Sequence, residues 1–159
     1  MSHVELLAHF EKQFSDLKKE MKISSSLEEL DEIFYLRDMI LKEGFVSNKL
    51  SRMLCSRIVN TYMSWSNYLH GLVMPNPNYM VNMAESQMFT DDDRQEIINL
   101  MNQILALVSL NSVLTLEDDK RAESKFIDES VKFWKKTFQP KVMVFMKKVN
   151  KEWMNKAKL

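Results

Sequence analysis

The sequence is short of the residues that punctuate chains. It holds two glycines, three prolines and one cysteine in 159 residues. A β-sandwich or barrel needs a turn signal about every 8–12 residues, and this chain cannot supply them. A glycine-rich phosphate loop is excluded, because Gly44 and Gly71 stand 27 positions apart. The single Cys55 forms no intramolecular disulfide. With one cysteine and three histidines, at positions 3, 9 and 70, a cysteine-rich zinc site is also out. The chain opens Met-Ser-His-Val-Glu, without the pattern of a secretory leader, so the reducing cytosol is the expected compartment.

What is present suits a globular domain. Apolar residues make up 45% and charged residues 28%, a balance that needs neither metal nor disulfide to fold at this length. The spacing predicts an all-α fold, a single antiparallel bundle over residues 1–159 of four to five long helices plus one short one. Helix one is expected over about His3–Ile23, on the stripe Leu6, Leu7, Phe10, Phe14, Leu17 and Met21. Glu5 and His9 read as a solvated pair four apart. Ser26 with Glu29 is a capping box, and opens one helix over about Leu27–Glu43 with Gly44 as its left-handed end.

Helix three is expected from near Ser47 to Leu72, closed by Pro75 and Pro77. Its off-stripe residues Val59, Met63 and Tyr68 suit either a homodimer contact or a second layer of the same core. A short amphipathic helix lies between Asn78 and Phe89. Thr90 caps helix four, whose first turn holds Asp91, Asp92 and Asp93 at the positive helix end. Residues Ile97–Leu116 carry no charge for 20 positions. Seven of these are polar, which argues against a membrane span and for the most buried helix of the bundle. Thr115 with Asp118 is the expected start of helix five, running to about Phe138. Pro140 fits the first position of helix six. Short connections predict antiparallel neighbours for helices one and two, four and five, and five and six.

Three groups of residues carry functional expectations. The first is charge. Lysine plus arginine and aspartate plus glutamate both number 22, but from Lys132 to Leu159 there are nine lysines and one acid, so this end carries +8 and the rest −8. Lys135, Lys136, Lys141, Lys147, Lys148 and Lys151 form a candidate polyanion-binding face. No arginine stands among them, so contact with nucleic acid would be to phosphates and without sequence reading. The second is thioethers. Thirteen methionines are present, and Met74, Met80, Met83 and Met88 cluster in the irregular region, as a lid on the core or an adaptable partner groove. The third is acids. Glu28 with Asp31 and Glu29 with Glu32 on helix two stand three apart and share a face, a candidate magnesium site for a nucleotide hydrolase, although capping and the helix dipole also place acids there and no second acidic pair lies deep within a helix.

No cofactor motif and no catalytic triad is legible. Cys55 and His70 sit 15 residues apart on one helix, about 22 Å, and cannot touch. The leading expectation is a non-enzymatic cytoplasmic module that binds a protein or other macromolecular partner, or pairs as a homodimer. A nucleic-acid-binding accessory protein and a metal-dependent nucleotide hydrolase are the alternatives.

Overall fold

The computed structural model describes residues 1–159, and every regular element is helical. In chain order these are α1 (His3–Met21), α2 (Leu27–Phe34), α3 (Leu36–Glu43), α4 (Leu50–Val73), α5 (Met80–Ser86), α6 (Asp91–Leu116), α7 (Lys120–Phe133), a π-helical turn (Trp134–Phe138) and α8 (Gln139–Ala157). The all-α expectation holds.

α4 is the axle. Its stripe of Leu54, Ile58, Tyr62, Leu69 and Leu72 is fully buried, and α1, α2, α5, α6 and α7 all pack against it. Burying such a side chain contributes about 1.5–3 kcal/mol, so this stripe anchors the core. Tyr62 is its centre. Its ring meets Phe34, Trp134, Phe138 and Phe133 at centroid distances of 6.0, 5.9, 5.8 and 5.7 Å. Its buried hydroxyl donates to the Ser130 carbonyl at 2.6 Å, so no polar atom is left unpaired there. Val59 and Tyr68 pack against the same core, which favours the second-layer reading of those side chains over a dimer contact.

The expected Leu27–Glu43 helix is two helices. Tyr35 takes the left-handed conformation, φ 54°, ψ 52°, and ends α2. Apolar periodicity runs across the break because Phe34 and Leu36 are both fully buried. Polar partners take up the backbone groups there. Arg57 Nε donates to the Phe34 carbonyl at 2.7 Å, and the Arg37 amide donates to Asp31 Oδ1 at 2.8 Å. Gly44 is the left-handed terminus of α3, φ 80°, as expected.

Helices five and six are not an antiparallel pair. The chain stays helical from Lys120 to Ala157, widening to a π turn before Pro140. Gln139 N–H reaches back five residues to the Trp134 carbonyl. Pro140 has no N–H to give, and its ring would press on the carbonyl four residues earlier in a regular α-helix. A widened turn just ahead of it relieves both problems. α6 packs against α7, as the short connection predicted for helices four and five. It also meets α8, where Lys141 pairs with Glu96 at 3.2 Å and Lys148 with Asp93 at 3.1 Å. The rising numbers on α8 meet falling numbers on α6, so these two run antiparallel.

α6 is not the most buried helix. Ile97, Leu100, Ile104, Asn111 and Leu114 face inward, while Asn99, Asn102 and Gln103 lie on the surface. Two further caps differ from expectation. Glu5 closes a capping box with Ser2 rather than pairing with His9, which instead meets Gln13. α7 is capped by Asp119 through the Ala122 amide, not by Thr115.

Candidate functional site

The six lysines do not form one free face. Lys135 is bound to Glu29, Lys141 to Glu96 and Lys148 to Asp93. These pairs tie the basic end of the chain to its acidic half and account for three of the nine lysines at that end. Lys136, Lys147 and Lys151 are exposed and outside every ion pair of the fold. At 100° per residue, Lys147 and Lys151 share the outward arc of α8 with Met143, Val144 and Met154, all exposed. Trp134 and Trp153 are half-buried and pack against the core. Trp134 stacks on Phe138 at 4.7 Å, and Trp153 Nε1 donates to Glu85 at 2.8 Å.

Three of the four helix-two acids, Glu28, Glu29 and Asp31, are engaged by cations, and Glu32 is exposed outside every ion pair. Arg37 lies 2.8 Å from Asp31 and 3.7 Å from Glu28. Hydrogen bonding to Asp31 holds its guanidinium pKa above the ordinary value. Glu29 is shared between Lys135 and the Ser26 amide, and these bonds lower its pKa. No group of three or more His, Cys, Asp or Glu side chains converges as a metal site. Cys55 is fully buried, and desolvation pushes its thiol up to about 12. His70 is exposed far along the same helix.

The methionines divide. Met88 packs against the core, Met83 is half-buried, and Met74 and Met80 point outward. The α4–α5 corner is tight because Gly71 has no side chain. A Cβ there would stand 2.2 Å from Asn82 Nδ2, and Asn82 Oδ1 accepts from the Asn76 amide at 2.6 Å, latching the loop.

Two features are absent from the sequence reading. The first is the outer face of α6. Leu105, Leu110 and Val113 are 46%, 43% and 48% exposed, and Leu116 stands out at the helix end. α6 is long and apolar enough, by length and composition, to cross a membrane. A surface helix of a globular domain ordinarily turns charge outward; over residues 97–116 the outward residues are Leu, Val, Ala, Ser, Thr, Asn and Gln. The signal lay in the charge-free run itself, whose apolar residues are spread around the helix rather than kept to one stripe.

The second is a polar cluster at the opposite end of α4. Arg52 Nη2 donates to Asn111 Oδ1 at 3.0 Å, and Arg52 Nη1 stands 4.0 Å from Glu123 Oε1. Arg52 Nη1 and Glu123 Oε2 are the two buried side-chain polar atoms without a hydrogen-bond partner. Helical spacing carried the signal here too. Asn111 lies on the inward stripe of Ile104 and Leu114, and Glu123 stands four before Ile127, so both polar groups occupy core-facing positions.

No protein-family model matches this chain, and neither a curated protein nor a solved structure matches it.

Proposed function

We propose that the chain is a non-enzymatic helical module that pairs with a second copy of itself through the outer face of α6. The supporting observation is the exposed, charge-free surface of Leu105, Leu110 and Val113. A two-fold contact sets each patch against itself, and like charges would then oppose one another; a face without charge avoids that cost. Ala106 and Ser109 lie among the leucines and let two backbones approach. The acids at both ends, Asp91 and Asp92 before and Glu117 and Asp118 after, flank the patch. A crossing angle of about −50°, the commonest for packed helices, brings the middles together and holds these ends apart.

Light scattering across a range of protein concentration tests this reading. The expected result is a mass that doubles with concentration for wild type and stays monomeric for the Leu110→Glu, Val113→Glu variant. A wild type that is monomeric at several hundred micromolar overturns it.

A second reading rests on Lys136, Lys147 and Lys151, the three of the six candidate lysines that have no acid partner. It makes the chain an accessory protein that contacts nucleic-acid phosphates. Its test is binding to single- and double-stranded oligonucleotides at two salt concentrations, with a triple alanine variant at those positions. Binding that weakens steeply with salt, with a shallower slope for the variant, supports it. No binding at low salt removes it.

A further inference from the structure

A surface cavity of about 730 Å³ lies where the second half of α1, the start of α4, the end of α6, the α6–α7 loop and the start of α7 converge. Arg52 and Glu123 both line it. We propose that this cavity binds a small zwitterion of the α-amino-acid class, its carboxylate on Arg52 and its ammonium on Glu123.

Three observations lead there. The Glu123 side chain is only 5% exposed, and a buried carboxylate oxygen without a donor is costly. Arg52 Nη1 carries the matching defect, as a buried donor without an acceptor. Arg52 Nη1 and Glu123 Oε1 form an ion pair at 4.0 Å, too long for a hydrogen bond between them. Each has one unused group, and the groups are opposite in kind.

The walls are divided by charge in the same sense. Lys49 and Arg52 come from the start of α4, whose first turn has no side-chain cap and whose positive helix end adds to them. Glu117 and Asp118 come from the α6–α7 loop, Glu123 from α7, and Asp16 and Glu20 from α1; Lys120 stands among these acids and is paired with Glu20. A free anion would meet the acidic wall, and a free cation the basic one. A molecule carrying both charges meets a partner on each side. In an α-amino acid one carbon separates carboxylate from ammonium, which matches poles about 4 Å apart and not poles at opposite ends of the cavity. Volume leaves room for a side chain, since small-molecule sites span about 300–1,000 Å³. On binding, Arg52 and Glu123 turn their unused groups from one another to the ligand.

The experiment is a thermal-unfolding screen of the full chain at constant ionic strength. The probes are the common L-amino acids, with acetate, methylammonium and 6-aminohexanoate as controls. One or more amino acids is expected to raise Tm in a saturable way, by about 3–6 °C at ten times Kd; the three controls are expected to leave it unchanged. Glu123→Gln removes the ammonium partner and should abolish the shift. Because that variant alters a buried group, the exposed Lys49→Ala and Asp118→Asn serve beside it, each expected to raise Kd several-fold in a protein of unchanged circular dichroism. A shift from acetate or methylammonium alone overturns the proposal. So does the absence of any saturable shift, which would mean that water alone bridges Arg52 and Glu123. So does an amino-acid shift that survives all three substitutions.

Discussion

Tyr35 stands at φ 54° with its ring more than half exposed. The left-handed conformation costs a side-chain-bearing residue about 1–2 kcal/mol, and glycine almost nothing. Tyr35→Gly therefore relieves strain without emptying the core. Part of the gain is offset by the greater freedom of glycine in the unfolded chain. The expected outcome is a rise of about 0.5–1 kcal/mol in unfolding free energy, read from urea denaturation. Tyr35→Ala keeps the strain and should not be stabilised. Cys55 makes a different point at the same scale. Its thiol is fully buried and held near 12 by desolvation, so almost no thiolate exists at neutral pH and none is accessible. Labelling with a disulfide reagent should proceed only at the rate of unfolding and should slow whenever a substitution such as Tyr35→Gly stabilises the fold. Labelling within seconds in native buffer would contradict that burial. Neither feature was fully open to the sequence. Buried Cys55 is common behaviour for its residue type, but nothing in Phe34-Tyr35-Leu36 announces a helix break, because the break keeps both flanking side chains inward.

Two helix starts were open to local reading. The Ser26/Glu29 box and the Thr90 cap follow from local spacing, and the structure adds Asp93 as the reciprocal partner of Thr90. They also set the acid response. The Thr90 amide, then Lys148, lowers the pKa of Asp93, and Lys135, then the Ser26 amide, lowers that of Glu29. Both carboxylates bind a proton more weakly folded than unfolded. Their stabilisation is present above the ordinary carboxylate range near pH 4 and is lost as pH falls through that range into the lower folded values. Both groups are partly exposed, so each contributes at most about 1 kcal/mol. The urea midpoint should fall between pH 5 and pH 3 in wild type and fall less in the Glu29→Gln, Asp93→Asn variant, each compared with its own value at pH 7. An identical fall in both would assign the acid response to other groups. The π turn was out of reach of such local reading. Pro140 signals a new helix as readily as a widened turn, and the choice rests on the cluster of Tyr62, Trp134 and Phe138, which joins residues more than seventy positions apart.

At the scale of the whole molecule, α6 is the element whose surroundings matter most. Its inner side belongs to the core: truncating the fully buried Ile104 to alanine should cost about 2–4 kcal/mol. Its outer side is about half exposed and stands outside the core cluster, so surface substitutions there should change monomer stability by less than about 0.5 kcal/mol. Pairing alters this expectation in a measurable way. A partner that binds only the folded state raises apparent stability by mass action, so wild-type Tm should climb as protein concentration rises. The Leu110→Glu, Val113→Glu variant should give one Tm at all concentrations, equal to the wild-type value at high dilution. That equality is the informative result, because it separates a surface that needs a cover from one that merely tolerates exposure. A variant less stable than wild type at high dilution would instead place Leu110 and Val113 in the core, against their observed exposure. A wild-type Tm independent of concentration would leave α6 without its second copy.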